Sequence, residues 1–206
     1  MVTLKRKVLL PFNKNQTLVT GAFNGEINLL SASGKFPYLE VMGIGNLEAA
    51  VQLSDYLFKN RNINHIVFFG SCGAYEWSEI PIGSFVSPSR VYTKELSHVL
   101  KLAKQIPESP EFYELVPNKS FQTAKCNAPT TITLTELKQP PVDTWKNFEI
   151  ENLELFGIAK VASKFSVTVT AYLAVTNLVG PNGSSEWAKN WKTLSESLQN
   201  KILSVF

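Results

Sequence analysis

The sequence predicts an α/β protein built around a largely parallel sheet, and three observations predict it. Ile66-Val67-Phe68-Phe69 is a short β-branched and aromatic run without polar alternation, which suits a strand buried on both faces. A helical period from Leu47 lies between two strand-like stretches, Tyr38–Met42 and His65–Phe69, giving a strand, helix, strand unit whose crossover is expected to be right-handed. The 206 residues, 44% hydrophobic and 18% charged, allow one sizeable core, expected as a single domain over residues 1–206.

Taken in order, Lys7–Phe12 reads as a first strand, stopped by Pro11 and the polar turn Asn13-Lys14-Asn15-Gln16. Leu18–Phe23 and the region around Ile27–Leu30 are two more short apolar pieces. Asn24-Gly25 between them favours a type I′ hairpin turn. Tyr38–Met42 ends in Gly43-Ile44-Gly45, and Leu47, Ala50, Val51, Ser54, Leu57 and Phe58 then fall on one face of an amphipathic helix. After His65–Phe69 come a polar loop with Trp77, a strand over Ser84–Tyr92 and a helical stretch over Lys94–Ile106 that Pro107 ends. Phe121–Cys126 is the next strand. The following loop, Asn127–Val142, holds four threonines and three prolines and is an irregular candidate lid. Asn152–Lys164 reads as a helix burying Leu155, Ile158, Ala159, Ala162 and Phe165, with Glu154 off that stripe in the first turn. Val167–Val175 is a strand, followed by a loop from Thr176. Ser185–Val205 is a terminal helix with Trp187, Trp191, Leu194, Leu198 and Ile202 on one face, Ser184 or Ser185 as its cap and Glu186 at its positive end.

Composition excludes several classes of function. A net charge of +3, scattered along the chain, is too small to point to nucleic acid. The basic cluster Lys5-Arg6-Lys7 leads into only three apolar residues before Pro11, short of an export signal or a membrane span, so the expected location is the cytoplasm. Two cysteines, Cys72 and Cys126, lack metal-ligand spacing and read as packed, reduced thiols. With only His65 and His98, neither a histidine triad nor a zinc site is expected, and no cofactor is implied.

Two glycine-rich stretches are candidates for binding. Gly70-Ser71-Cys72-Gly73 is placed as a turn at the carboxyl end of a central strand, where open α/β sheets hold their ligands. It reads equally as a tight turn with a capping serine. Gly43-Ile44-Gly45 precedes a helix and offers N–H groups with a positive dipole end to a ligand, although no third glycine or Walker lysine follows.

Three segments in this order resemble the purine-nucleoside phosphorylase and nucleosidase family of the hexameric-phosphorylase type. They are Val41-Met42-Gly43-Ile44-Gly45-Asn46-Leu47-Glu48-Ala49-Ala50, then Phe69-Gly70-Ser71-Cys72-Gly73-Ala74 with Ile82-Gly83, then Leu153-Glu154-Leu155-Phe156-Gly157-Ile158-Ala159 with Thr176-Asn177. The order and spacing make the resemblance specific over residues 38–205. It implies a three-layer α/β sandwich around a twisted mixed sheet, a homo-oligomer (dimer or higher), and cleavage of a nucleoside's N-glycosidic bond. The stretch Val175–Asn182 with Trp187 is most similar to futalosine hydrolases of menaquinone biosynthesis.

The resemblance also implies roles. Glu154 would bond the ribose hydroxyls, with Leu153 packing on the sugar; Glu154 is also readable as a helix-start carboxylate satisfying the dipole. Ser71 and the Gly70 and Gly73 amides would face the nucleophile or phosphate, and the backbone around Thr131 and Ile132 the purine. Asn177 stands where adenine-specific relatives carry an aspartate. An asparagine cannot protonate N7 at neutral pH, but its amide donates to O6 or N7, which favours a 6-oxopurine if Asn177 faces the base. Its alternative is a turn residue before Gly180-Pro181.

The departures bear on the reaction. Phe68 replaces a phosphorylase arginine, which argues against phosphorolysis. Leu173 replaces a nucleosidase arginine, and the place of the water-activating acid after the first strand reads Pro11-Phe12-Asn13-Lys14. The leading expectation is a hydrolase of a 6-oxopurine nucleoside, such as futalosine. The alternative is a diverged relative that binds a nucleoside or a protein partner with little or no catalysis, and phosphorolysis ranks third.

Overall fold

The computed structural model describes residues 13–204 and runs β1 (Thr17–Gly21), α1 (Asn28–Ala32), β2 (Leu39–Val41), α2 (Asn46–Lys59), β3 (His65–Ala74), β4 (Phe85–Tyr92), α3 (Leu96–Val99), β5 (Phe112–Glu114), β6 (Gln122–Asn127), β7 (Ile150–Glu151), α4 (Leu155–Lys164), β8 (Thr168–Leu178) and α5 (Gly183–Leu203). The expected strand Lys7–Phe12 lies outside the described residues. Strand β3 is the axis of a mixed sheet, parallel to β1 on one side and to β8 along its whole length on the other. Its last residues also pair antiparallel with β7. Further pairings of β7 with β6, β6 with β4, and β4 with β8 bring the sheet back to β3, so five strands close a circuit. The ends of β3, β7 and β8 meet at one rim of it.

Helices cover both faces. Ala49, Leu53 and Leu57 of α2 and Leu155, Ile158, Ala159 and Ala162 of α4 pack with Ile66 and Phe68 in one core. Leu198 and Ile202 of α5 pack with Val67, Phe69 and Tyr172 in the other. Alternate residues of β3 therefore feed opposite cores, as a period of two requires, which is why the run reads as continuously apolar. Burying each of those four side chains stabilises the fold by about 1.5–3 kcal/mol. Among the described residues, no helix is long and apolar enough to cross a membrane.

Several elements depart from the sequence reading. Gly70–Gly73 is not a turn: β3 continues to Ala74, because β8 supplies ladder partners out to Leu178. For the same reason Thr176 and Asn177 lie inside β8 rather than after it. Asn24-Gly25 forms no hairpin; residues Asn24–Glu26 make a 3-10 turn and Ile27–Leu30 run into α1. The neighbours of β1 are both parallel, so the chain has to cross over after it. The period of α2 is right and its face only partly so: Leu57 is buried as expected, whereas Leu47 (79%), Val51 and Phe58 are exposed and Ala49 and Leu53 are buried instead. The Lys94–Ile106 helix shrinks to Leu96–Val99, ended at Lys101 with φ 59°.

Helix α4 begins at Leu155, three residues later than expected, and just before it Asn152 Oδ1 accepts from the Glu154 and Leu155 amides at 3.1 and 2.9 Å, which satisfies two donors at the helix start. At the start of α5 neither serine caps; Ser185 Oγ instead donates to the Asn182 carbonyl. Helices α2 and α4 touch where Asn46 Oδ1 accepts from the Gly157 amide at 2.8 Å. A Cβ at Gly157 would run into the Asn46 carbonyl. Gly157→Ala is therefore expected to lower stability by about 1–3 kcal/mol, read as a fall in the urea midpoint at unchanged slope.

Candidate functional site

A cavity of about 410 Å³ opens at the rim where β3, β7 and β8 end. That lies within the usual range for small-molecule sites. Of the residues singled out from the sequence, Ser71, Gly73, Ile132, Leu153, Glu154 and Asn177 line it. Gly70 does not, since it lies deeper in β3 opposite Leu173, in contact with Phe68. Nor does Thr131, whose exposed hydroxyl donates to Glu95 Oε2 at 3.0 Å, although its exposed neighbour Ile132 borders the cavity.

Glu154 is buried at the start of α4. Its Oε1 accepts from the Gly45 amide at 3.0 Å and its Oε2 from Asn152 Nδ2 at 2.9 Å. Burial pushes its carboxyl above the usual carboxylate range, and these donors oppose that. Two amides of the Gly43–Gly45 turn are thus not presented to a ligand: Gly43 N–H goes to the Ala22 carbonyl and Gly45 N–H to Glu154. A protein carboxylate occupies the anion position that a helix start creates. Asn152 also donates to the Ser71 carbonyl at 3.1 Å, tying α4 to β3.

A cavity-lining acid that the sequence reading did not single out is Glu26. It follows β1, the first described strand beside β3, whereas the sequence reading counted from Lys7–Phe12 and reached Asn13. Glu26 Oε1 accepts from the Ser71 amide at 3.0 Å and the Ser71 hydroxyl at 3.2 Å, and Oε2 accepts from the Ala22 amide at 2.9 Å. Trp187 Nε1 donates to Ser71 Oγ at 3.0 Å, which leaves the hydroxyl's own hydrogen for Glu26. Burial, and then the nearby Glu154 charge, raise the Glu26 carboxyl to about 8. An acidic residue within a turn of the Leu18–Gly21 strand was the available signal.

Asn177 sits between two glycines, and a Cβ on Gly73 or Gly183 would meet its Nδ2 at 2.8 or 3.1 Å. Its Oδ1 accepts from the Thr176 hydroxyl at 2.8 Å and its Nδ2 donates to the Leu178 carbonyl at 2.9 Å, so the amide is held with nitrogen and oxygen assigned. Phe23 and Trp187 form an aromatic wall, their rings 6.4 Å apart, and Glu151 completes the lining with a third carboxylate. Glu151 lies on a two-residue strand that no periodicity announces.

No lysine or arginine lines the cavity among the described residues. Phe68 and Leu173, which the resemblance set against arginines, are buried in the sheet's core. Among the described residues, no cluster of His, Cys, Asp and Glu is arranged to hold a metal ion. Cys72 and Cys126 are free, buried thiols.

No protein-family model matches the chain, and no curated protein matches it. Solved structures do. A mutant of Helicobacter pylori MTAN with 5′-methylthioadenosine in its active site superposes with TM-score 0.72 at 13% identity, covering 92% of this chain and 97% of that one. Futalosine hydrolase of Helicobacter pylori gives 0.73 at 14%, covering 92% and 96%. The 5′-methylthioadenosine/S-adenosylhomocysteine nucleosidase of Neisseria meningitidis, in complex with methylthio-immucillin-A, gives 0.73 at 13%, covering 92% and 98%. The chain has the nucleoside phosphorylase/nucleosidase fold, a three-layer α/β sandwich around a mixed sheet.

Proposed function

We propose that the chain is a nucleosidase that hydrolyses the ribose–purine bond of a 6-oxopurine nucleoside, with futalosine a candidate substrate. The observation that carries this reading is the make-up of the cavity: three buried carboxyl groups, Glu26, Glu151 and Glu154, and no lysine or arginine among its described lining residues. Cleavage of an N-glycosidic bond develops positive charge on the sugar, which buried carboxylates stabilise. The described lining has no cation to hold a phosphate dianion, so water is the nucleophile.

Glu26 is the base. It takes a proton from a water hydrogen-bonded to Ser71, the water oxygen bonds to C1′, and the C1′–N9 electron pair leaves with the base. Glu154 accepts from the ribose hydroxyls, and Leu153 packs on the sugar. Asn177 donates its amide hydrogen to O6 or N7 of the departing base, which suits hypoxanthine. The similarity to a futalosine hydrolase and to nucleosidases holding nucleoside-like ligands supports the assignment.

Incubation with inosine, futalosine and 5′-methylthioadenosine, with and without inorganic phosphate, tests the reading. Equal hypoxanthine release in both buffers is expected. Release that requires phosphate, or no release from any nucleoside, overturns it. Glu26→Gln is expected to lower kcat by about a hundredfold or more, and Glu154→Gln and Asn177→Ala to reduce purine release, in stopped assays of free base.

The Glu26 carboxyl also sets a pH dependence. Turnover is expected to rise with pH and level off above about 8, as the base form accumulates. Stability moves the other way. The folded chain keeps this proton up to about pH 8 while the unfolded chain loses it near 4.5, so the contribution is complete below 4.5 and is lost as pH rises to 8. Melting temperatures measured across that range are expected to fall less steeply in Glu26→Gln.

A further inference from the structure

Hydrolysis as described gives Trp187 no part, although its indole N–H reaches the Ser71 hydroxyl. We propose that Trp187 is a positioning residue for the attacking water: its N–H holds the Ser71 hydroxyl with the hydrogen on Glu26 and a lone pair toward the water. This rests on the reading of Glu26 as the base.

The donors on Glu26 are the Ala22 amide, the Ser71 amide and the Ser71 hydroxyl. The two amides are fixed by the main chain, whereas the hydroxyl is free to turn about its C–O bond. The other titratable groups lining the cavity are Cys72 of β3, Glu151 of β7 and Glu154 at the start of α4, and none brings a positive charge to steer it. On α5, the Glu186 carboxylate is taken up by the Leu178 amide. Where the Ser71 hydrogen points is therefore decided by what its oxygen accepts.

An indole N–H only donates, so at 3.0 Å from Ser71 Oγ it takes one of that oxygen's two lone pairs. The hydrogen goes to Glu26 Oε1 at 3.2 Å, and the second lone pair is left for one hydrogen of the water. A hydroxyl that accepts one hydrogen bond donates the next more strongly, which favours the charged form of Glu26 against burial. The water then turns its other hydrogen to Glu26 and its own lone pair to C1′. A Ser71 hydrogen turned to the water would instead occupy the pair that attacks.

The packing holds the indole for this task. Trp187 and Trp191, about one helical turn apart, stack with ring centroids 5.6 Å apart, and Phe23 meets both rings edge-on at 6.4 and 5.2 Å. Gly25 makes room for this cluster, since a Cβ there would meet the Trp191 ring at 2.6 Å. Trp187→Phe keeps an aromatic ring in the cluster and loses the donor.

NMR titration of an isotope-labelled Glu26 carboxyl carbon, in the full chain without nucleoside, tests this in the wild type, Trp187→Phe, Ser71→Ala and the double variant. Loss of the indole donor is expected to move the Glu26 midpoint up by about half to one pH unit, the worth of one neutral hydrogen bond. Ser71→Ala is expected to move it at least as far, and Trp187→Phe to add nothing in that background. An unmoved midpoint in a folded Trp187→Phe overturns the proposal, as does the same shift with and without Ser71. In the wild type the Trp187 indole N–H resonance is expected to shift at the Glu26 midpoint, and an indole resonance indifferent to that titration overturns the proposal with no variant needed. In turnover, kcat of Trp187→Phe is expected to fall about three- to tenfold near pH 7 and to return within about twofold of wild type near pH 9.5. A loss of the same size at both, as mere packing would give, overturns the proposal. Titrations as expected with no purine release sink the hydrolase reading alone, and purine release with a Glu26 midpoint independent of Trp187 sinks this proposal alone.

Discussion

Three carboxylates buried around one cavity, without a lysine or arginine among its described lining residues, are the constraint on which the rest of the site depends. Taking a carboxylate out of water is costly unless donors surround it. Here the donors are neutral: backbone amides of Ala22, Ser71 and Gly45, the Asn152 amide, and the hydroxyls of Ser71, Tyr75 and Thr133. Neutral donors hold the carboxylates in place without cancelling their charge. Burial therefore raises all three carboxyls, Glu26 to about 8, and leaves Glu26 able to hold or release a proton near neutral pH.

The fold meets that constraint by bringing ends together. Glu26 follows β1, Ser71 is on β3, Glu154 opens α4, Asn177 is in β8 and Trp187 is in the first turns of α5. Asn152 is the fastening among them, with four hydrogen bonds to the Ser71 carbonyl, the Glu154 carboxylate and two amides at the start of α4. Gly73 matters for what it lacks, since any side chain there would occupy the space of the Asn177 amide. The closed circuit of strands makes this possible, because it brings β7 and β8 to the two sides of β3.

Much of the site was legible before the fold. Ser71, Glu154 and Asn177 sit in three separated motifs, and the structure brings them to one cavity. Glu26 was passed over because the sequence reading took Lys7–Phe12 as the first strand and looked for an acid at Pro11–Lys14. Glu151 was hidden because two residues of strand have no period to detect. Gly70 and Thr131, whose backbone was expected at the ligand, are not among the residues lining the cavity. Leu47, Val51 and Phe58 show a related failure: the helical period was correct, yet a period does not say which of two apolar stripes meets a neighbour.

The sequence by itself determined the α/β class, the buried strand through Ile66–Phe69, the helix periods and the chemistry available at Ser71, Glu154 and Asn177. These follow from local propensity and from the order of residues along one segment. Only the tertiary structure decided that β3 runs on through Gly73, that Glu26 reaches Ser71 from another strand, and that Glu151 and Asn177 stand on either side of a glycine. Those depend on which strands pair and in what register, and pairing between distant segments is settled by packing of the whole sheet rather than by any stretch of it.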